Sequence, residues 1–236
     1  DAVIVGGGHN GLICSCYLAQ AGLRVLVLEK NETIGGATCS KKIFPGFDAR
    51  ISVYSYLVSL LPEKITSDLG IQFTTRRREF ASYTPIEKDG RSTGLLISNV
   101  SEETTRRSFS DLTGDEREHQ RYCQLQQKLG LFARKVWPTL LDPLPSRQAL
   151  RSLFHTREER RIWEYLVEQP LSALIEDHIQ DDTLRGVLFT DAKIGVLTDP
   201  EDPSLLQNRT FLYHIIGQGS GEWRVPVGGM GALVDA

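Results

Sequence analysis

Three glycines near the start of the chain, Gly6, Gly8 and Gly11, follow the apolar segment 2–5 with the spacing Gly-x-Gly-x-x-Gly. Between a strand and a helix, the first glycine permits a tight turn, the second lets the backbone approach a pyrophosphate, and the third lets the helix lie close to the strand. The helix N-terminus then offers free amides and a favourable dipole to the phosphates. The spacing therefore predicts a dinucleotide-binding turn.

The residues around this turn supply the elements that it needs. Residues 12–21 predict a helix that ends at Gly22, and residues 23–28 predict a second strand that ends at Glu29. An acidic residue at that position suits a ribose 2′-hydroxyl. A 2′-phosphate would meet the like charge of Glu29 without a nearby arginine. The pattern therefore favours a dinucleotide-binding turn over a glycine-rich turn with an incidental glutamate. It also favours NAD or FAD over NADP as the nucleotide.

The composition is that of a globular protein. The chain has 236 residues, of which 40% are apolar and 24% charged, and a formal net charge of −3. This size fits one or two domains, and there is no concentrated basic face that would indicate nucleic-acid binding. The cysteines form no Cys-x-x-Cys pair, which argues against a dithiol-dependent reductase. Structural thiols in a reducing compartment such as the cytoplasm are favoured, with an organelle left open.

The two ends of the chain predict that it is the N-terminal part of a longer protein. The only methionine is Met230, so Asp1 is not a translation start. Residues 231–236 read as the first turns of a helix without a stop signal. A targeting segment would therefore lie outside this sequence.

The middle of the chain predicts a mixture of strands and helices. The apolar run 51–61, which contains Tyr54 and Tyr56, predicts a buried helix. The basic run 76–78 is expected to be solvated. The other expected elements are a short helix at 62–69, strands at 71–75, 81–86 and 94–98, a hairpin turn at Lys88-Asp89-Gly90, and helices from 101 to 186, one of them at 115–135.

The longest of these helices has an apolar stripe that predicts one buried face. The stripe consists of Leu125, Leu129, Phe132 and Val136. Over residues 129–141 a core-facing helix is favoured above a helix on a membrane surface. No segment has the apolar length of a spanning helix, so membrane contact is expected to be at most peripheral.

The histidines indicate neither metal nor hydrolase chemistry. We interpret His119, His155, His178 and His214 as surface or core residues without a second ligand-type residue at helical metal spacing, and predict no metal site. No serine or cysteine elbow accompanies His178, which disfavours a hydrolase.

Two further glycine-rich segments could approach a ligand closely. Gly35 and Gly36 follow the second strand, and Gly228, Gly229 and Met230 precede an apparent helix start near the end. A helix that opens there would direct its positive end at an electron-rich group, such as the pyrimidine edge of a flavin. For the C-terminal segment, a flexible glycine loop is the alternative.

Together, residues 5–12, Glu29 with the pair Gly35-Gly36, residues 44–47 and residues 223–231 resemble the phytoene-desaturase-like FAD-dependent oxidoreductases. Within them the chain most resembles the branch of pyridine nucleotide-disulfide oxidoreductase domain-containing protein 2. The resemblance implies an α/β fold: a Rossmann-like FAD-binding domain at 1–61 and 217–236, interrupted by an α+β substrate or lid domain at 62–216.

The same resemblance implies which residues hold the FAD. The pyrophosphate would contact Gly6, Gly8, His9, Asn10 and Gly11, and the adenosine ribose would contact Glu29 with the adjacent Lys30. The part of the cofactor that leads to the flavin would contact Gly35, Gly36, Ala37 and Thr38. Gly228, Gly229 and Met230 would contact it where the chain returns to the FAD-binding domain. No catalytic acid or base is identified.

The leading hypothesis is an FAD-dependent oxidoreductase that moves a hydride or an electron pair between an apolar small molecule and flavin, in which the flavin supplies the chemistry. One alternative is a non-catalytic flavin-fold protein that acts as a binding or scaffold component, because fold does not imply function. A second alternative is an NAD-dependent dehydrogenase, which the opening glycine spacing by itself leaves open.

Overall fold

A computed structural model describes residues 1–88 and 90–236. Its backbone divides into two compact units, Asp1–Arg77 together with Trp223–Ala236, and Arg78–Glu222. These limits differ from the domain limits expected at 61/62 and 216/217. They differ because the strand Thr75–Arg77 pairs antiparallel with the strand Arg224–Pro226, which keeps both segments in the first unit.

The elements are named here in chain order. The strands are β1 (Ala2–Val5), β2 (Val25–Leu28), β3 (Ser40–Lys41), β4 (Ile51–Ser52), β5 (Thr75–Arg77), β6 (Phe80–Lys88), β7 (Arg91–Ser98) and β8 (Arg224–Pro226). The α-helices are α1 (His9–Gln20), α2 (Glu63–Leu69), α3 (Glu102–Thr113), α4 (Glu116–Val136), α5 (Arg147–Arg151), α6 (Arg157–Trp163), α7 (Leu171–His178), α8 (Asp182–Lys193), α9 (Leu206–Ile215) and α10 (Gly231–Asp235). A π-helical turn, Glu164–Glu168, continues α6.

The first unit begins with the predicted strand–helix–strand arrangement. β1 and β2 pair in parallel, with Ala2 opposite Val25 and Val5 opposite Leu28. Parallel neighbours need a crossover connection, which α1 provides. The helix is followed by Gly22, whose φ of 85° lies in the left-handed region that a helix-ending glycine adopts. The turn therefore lies at the carboxyl end of β1, where the sequence predicts it.

The prediction of a buried helix at 51–61 is wrong. Residues 51 and 52 form β4, which pairs with β3, and Tyr54 and Tyr56 are 71% and 54% exposed. The backbone amides of this segment bond to a neighbouring segment instead of to a preceding helical turn: Val53 donates to the carbonyl of Cys39 and Ser55 to that of Ala37. These partners are distant in sequence, so the local apolar pattern could not reveal them.

The second unit starts with a β-hairpin. β6 and β7 are antiparallel, and Ser82 lies opposite Ile97, which confirms the strands expected at 81–86 and 94–98. The predicted turn Lys88-Asp89-Gly90 includes Asp89, which lies outside the described residues. The prediction of a strand at 71–75 is largely wrong, because β5 begins only at Thr75. Of the basic run, Arg76 and Arg77 are exposed and Arg78 is partly buried.

Helices pack on this hairpin and enclose the main core. Ser101 and Asp115 cap α3 and α4, accepting hydrogen bonds from the amides of Thr104 and Arg117, as N-cap residues do. The predicted stripe on α4 is confirmed for its first three members, which are buried, while Val136 is partly buried. The rings of Phe132, Phe154 and Trp163 pack against one another at tilted angles in the same core. Within the described residues, no helix has the length and apolarity needed to cross a bilayer.

Candidate dinucleotide-binding site

The glycine turn after β1 has the geometry that its spacing predicts. Gly6 has a φ of 102°, which L side chains rarely adopt. Gly8 is the N-cap of α1 and is extended. A Cβ at Gly11 would lie 2.3 Å from the carbonyl oxygen of Gly6 and 3.2 Å from Ile4 Cγ2. A side chain there would therefore push the helix away from the strand and the turn.

A second glycine segment lies directly against this turn. The amide of Gly35 donates to the carbonyl oxygen of Gly7 at 2.7 Å, and Gly8 and Gly35 form an isolated parallel bridge. Gly36 has a φ of 57°, and a Cβ there would lie 3.1 Å from the Cα of Gly8. The two backbones approach this closely because these positions have no side chains.

Glu29 binds the same turn from the end of β2. Its Oε2 accepts a hydrogen bond from the amide of Gly7 at 2.8 Å, and its Oε1 accepts from the amide of Asn31 at 2.9 Å. The Asn31 and Gly7 amides, in that order, hold the pKa of Glu29 below its usual value. Asn31 Nδ2 also donates to Oε1 at 2.8 Å. A carboxylate has about four acceptor sites, so Oε2 is the oxygen with capacity for a hydroxyl donor such as a ribose.

Thr38 and His9 connect the second glycine segment to the start of α1. Thr38 is buried, its amide donates to the carbonyl of Gly35 at 2.9 Å, and its Oγ1 lies 3.1 Å from His9 Nδ1. Asn10, Lys30 and Ala37 are exposed. The structure therefore gathers Gly6, Gly8, His9, Gly35 and Thr38 into one backbone-lined patch, and leaves those three side chains at its surface.

The C-terminal glycines lie in the same unit, and the amides that follow them donate to serine side chains. The amide of Met230 donates to Ser52 Oγ at 2.9 Å, and that of Gly231 donates to Ser40 Oγ at 2.8 Å. A Cβ at Gly229 would lie 2.3 Å from Ser40 Oγ. α10 is five residues long. These amides anchor the turn to β3 and β4.

Sequence reasoning missed Ser40 and Ser52, because a single serine in a two-residue strand has no distinguishing pattern. The C-terminal turn also approaches the second glycine segment, since a Cβ at Gly35 would lie 3.2 Å from Val234 Cγ2. Gly228 and Gly229 have φ angles of 88° and 77°. The predicted contact of these glycines and Met230 with a flavin stays a prediction.

One interpretation of the histidines is wrong. Cys123 lies four residues after His119 on α4, at helical ligand spacing, and its Sγ is 3.6 Å from His119 Nε2. By contrast, His178 and His214 each bond through Nδ1 to a carbonyl one turn earlier on their own helices, those of Leu174 and Thr210. Burial is the main cause that lowers the pKa of His178, and its Nε2 lies 2.8 Å from Lys128 Nζ, so both ring nitrogens have protein partners.

The second unit contains an apolar cavity of about 660 Å³. Its apolar lining includes Leu166, Val167, Ile194, Leu205, Leu212 and Ile216. Asn208 also lines it and is 2% exposed; its amide nitrogen donates to the carbonyls of Tyr165, Leu166 and Gln169 at the end of the π-helical turn. Among the described residues its Oδ1 is buried without a hydrogen-bond partner.

The strand–turn–helix–strand geometry with its glycines and Glu29 defines a class of protein. A family model for NAD(P)-binding Rossmann-like domains matches residues 4–61. The matched segment contains the glycine turn, α1, β2, Glu29 and the second glycine segment. The predicted dinucleotide-binding domain at the start of the chain is therefore confirmed.

Two curated relatives align with the whole chain. One is an uncharacterised protein of Mycobacterium tuberculosis, 42% identical over 239 residues. The other is the Mus musculus pyridine nucleotide-disulfide oxidoreductase domain-containing protein 2, 30% identical over 262 residues. The alignment covers 100% of this chain and 44% of each relative, so the chain spans less than half the length of the curated relatives it matches. The resemblance predicted from the motifs is confirmed.

A solved structure supports the same fold. A putrescine oxidase variant aligns with 99% of this chain and 47% of its own, at 20% identity and a TM-score of 0.55. At this identity the likeness shows the fold alone. The predicted fold class, a Rossmann-like domain interrupted in sequence by a second α+β unit, is confirmed.

Proposed function

We propose that this chain contributes the dinucleotide-binding unit of an FAD-dependent oxidoreductase that moves a hydride or an electron pair between an apolar small molecule and flavin. The observation that carries the proposal is the contact between the two glycine segments, where Gly35 donates to Gly7 and Gly36 lies against Gly8. The relationship to a protein named for its oxidoreductase domain supports the reaction class.

The chain's own residues would bind and orient the cofactor. The first amides of α1 have no acceptor within the helix, and Gly6 and Gly8 present backbone without side chains to a pyrophosphate. Ionised Glu29 is suited to accept a hydrogen bond from the adenosine ribose. Gly35, Gly36 and Thr38 would line the path of a ligand longer than a mononucleotide. When bound, FAD would supply the electron-accepting ring.

The second unit supports an apolar substrate. Its cavity of about 660 Å³ falls within the roughly 300–1,000 Å³ typical of small-molecule sites. Most of its lining residues are apolar, and Asn208, Arg209 and Thr210 are among the polar ones. Such sites combine an apolar wall with a few polar groups that orient the ligand. We assign this cavity to the substrate.

Native mass spectrometry of the full-length protein isolated from its source tests the cofactor. One spectrum reports both the chain mass and the mass of a retained cofactor. We expect the mass of FAD. NAD without flavin would overturn the proposal in favour of a dehydrogenase, and a protein with no bound nucleotide after reconstitution with FAD would overturn it in favour of a scaffold component.

A further inference from the structure

The hairpin of helices α3 and α4 brings together three side chains that the proposed oxidoreductase site does not use. Glu102 is the first residue of α3, and His119 and Cys123 lie one turn apart on α4. A carboxylate oxygen, an imidazole nitrogen and the thiol sulfur of these residues all lie within 4.8 Å of one another. Two of these ligand types, thiolate and imidazole, are those that zinc prefers.

The distance between the two helical ligands matches a tetrahedral metal centre. Cys123 Sγ and His119 Nε2 are 3.6 Å apart. With Zn–S of about 2.3 Å and Zn–N of about 2.0–2.1 Å, two ligands at a tetrahedral angle are about 3.6 Å apart. A zinc ion would therefore fit between these atoms without a shift of the helix. The side chain of Glu102 is long and exposed, so it can adjust to complete the contact.

The surroundings hold the imidazole and leave access for an ion. His119 is 5% exposed, and its ring meets Phe109 edge-on at 5.5 Å between centroids. Cys123 is partly buried and Glu102 is exposed, so the cluster opens to solvent on the Glu102 side.

We propose that Glu102, His119 and Cys123 bind a zinc-type divalent cation, with water as the fourth ligand. Three protein ligands and a water is a coordination that zinc commonly accepts. The ion would connect the first turn of α3 to α4. Binding would require loss of the thiol proton, which is released to solvent as the metal–sulfur bond forms. The alternative is a thiol–imidazole hydrogen bond without metal affinity.

Cobalt(II) titration of the metal-free, reduced full-length protein tests this proposal, because cobalt reports its ligands by absorption. We expect about one cobalt per chain with a thiolate-to-metal charge-transfer band in the near ultraviolet and visible bands of tetrahedral cobalt, both displaced by zinc. Cys123→Ser should abolish the charge-transfer band. Glu102→Gln, at an exposed position that is tolerant of change, should weaken binding by at least the roughly tenfold typical of even outer-shell changes.

Two matched variants serve as controls. Cys14→Ser removes an exposed thiol and His155→Gln an exposed imidazole, and neither should change the cobalt spectrum. Absence of the charge-transfer band in the wild-type protein would overturn the proposal. So would a band that persists in Cys123→Ser or disappears in Cys14→Ser. Far-ultraviolet circular dichroism of each variant separates loss of binding from loss of fold.

Discussion

The carboxylate of Glu29 accepts a hydrogen bond from the amide of Gly7 at 2.8 Å. The acidic residue at the end of β2 therefore fixes the glycine turn at the end of β1, in addition to the ribose contact proposed for it. Its other oxygen holds Asn31. A residue that binds both the turn and the cofactor would couple the conformation of the turn to nucleotide binding.

The bond between Glu29 and the turn predicts a pH-dependent stability. Because the folded state lowers the pKa of Glu29, its stabilising contribution is present above the unfolded pKa and is lost as the pH falls through the folded pKa. In Glu29→Gln, an amide NH₂ replaces one acceptor oxygen. We expect urea unfolding to show Glu29→Gln less stable than wild type at neutral pH, with the difference vanishing in acid.

Glu32→Gln is the control for this measurement, since Glu32 is an exposed carboxylate three residues away in the same loop. It should leave the free energy of unfolding nearly unchanged across the same pH series. A Glu29→Gln difference that stays constant from neutral to acidic pH would contradict the assigned role of the charge.

Gly11 offers a steric test of the turn. The Cβ introduced by Gly11→Ala would lie 2.3 Å from the backbone oxygen of Gly6, so the helix or the turn must move. We expect destabilisation of about 1–3 kcal/mol, typical of overpacking, and loss of retained cofactor. Gly186→Ala is the matched control, because a Cβ there meets nothing within 4 Å. Equal retention of cofactor by both variants would contradict the close-packing role of Gly11.

The parts of the fold that sequence reasoning predicted are those with local causes. β1, the turn, α1 and β2 follow one another within 28 residues, and the caps Ser101 and Asp115 act within their own helix starts. The segments that were predicted wrongly are those whose structure depends on hydrogen bonds to residues distant in sequence. In the segment 51–61, the amides of Val53 and Ser55 donate to residues 39 and 37 and that of Val58 to residue 224, and the local apolar pattern does not indicate these distant partners.

The same distinction applies to the candidate sites. The glycine turn was readable because each glycine acts within a few residues of the others. Ser40 and Ser52 were not, since their partners Gly231 and Met230 are 191 and 178 residues away. His119 and Cys123 are visible in the sequence as a pair at helical spacing, whereas the proximity of Glu102 depends on how α3 packs against α4.

The two serines provide a prediction about the C-terminal turn. Ser40→Ala and Ser52→Ala together remove the acceptors of the Gly231 and Met230 amides, each hydrogen bond contributing about 1 kcal/mol. We expect faster hydrogen exchange at residues 230–231 in the double variant, with exchange in α4 unchanged. Ser152→Ala, at an exposed serine of the second unit, should leave both regions as in wild type. Unchanged exchange at 230–231 in the double variant would show that the serines do not hold the turn.

Glu159 predicts an acid-sensitive contact in the second unit. It accepts hydrogen bonds from the amides of Thr156 and His155 and pairs with Lys135. The Thr156 amide and then Lys135 lower the pKa of Glu159 to about 2. Its contribution to stability is therefore full above the ordinary carboxyl pKa of 4.5 and is lost as the pH falls from there to about 2.

We expect Glu159→Gln to reduce the melting temperature at neutral pH and to match wild type near pH 2, the lower end of that window. Glu158→Gln removes the same charge from the neighbouring first-turn position and is the control. Melting curves of the two variants and wild type between neutral pH and pH 2 test this prediction. Equal effects of the two substitutions would mean that the stability is lost through the change in net charge and not through the capping contact of Glu159.

Two exposed aliphatic residues of the second unit differ in whether they line the apolar cavity. Ile194 lines the cavity and is 43% exposed, whereas Leu197 is 98% exposed and is not among the lining residues. A carboxylate at the lining is partly desolvated when an apolar ligand binds, at a cost above the ~1.4 kcal/mol that corresponds to a tenfold change in affinity. We therefore expect Ile194→Asp to weaken binding of the dye Nile red by about tenfold or more. Leu197→Asp adds the same charge and should leave dye affinity near the wild-type value. Equal weakening by both variants would mean that the dye senses surface charge and that the cavity is not an apolar binding site.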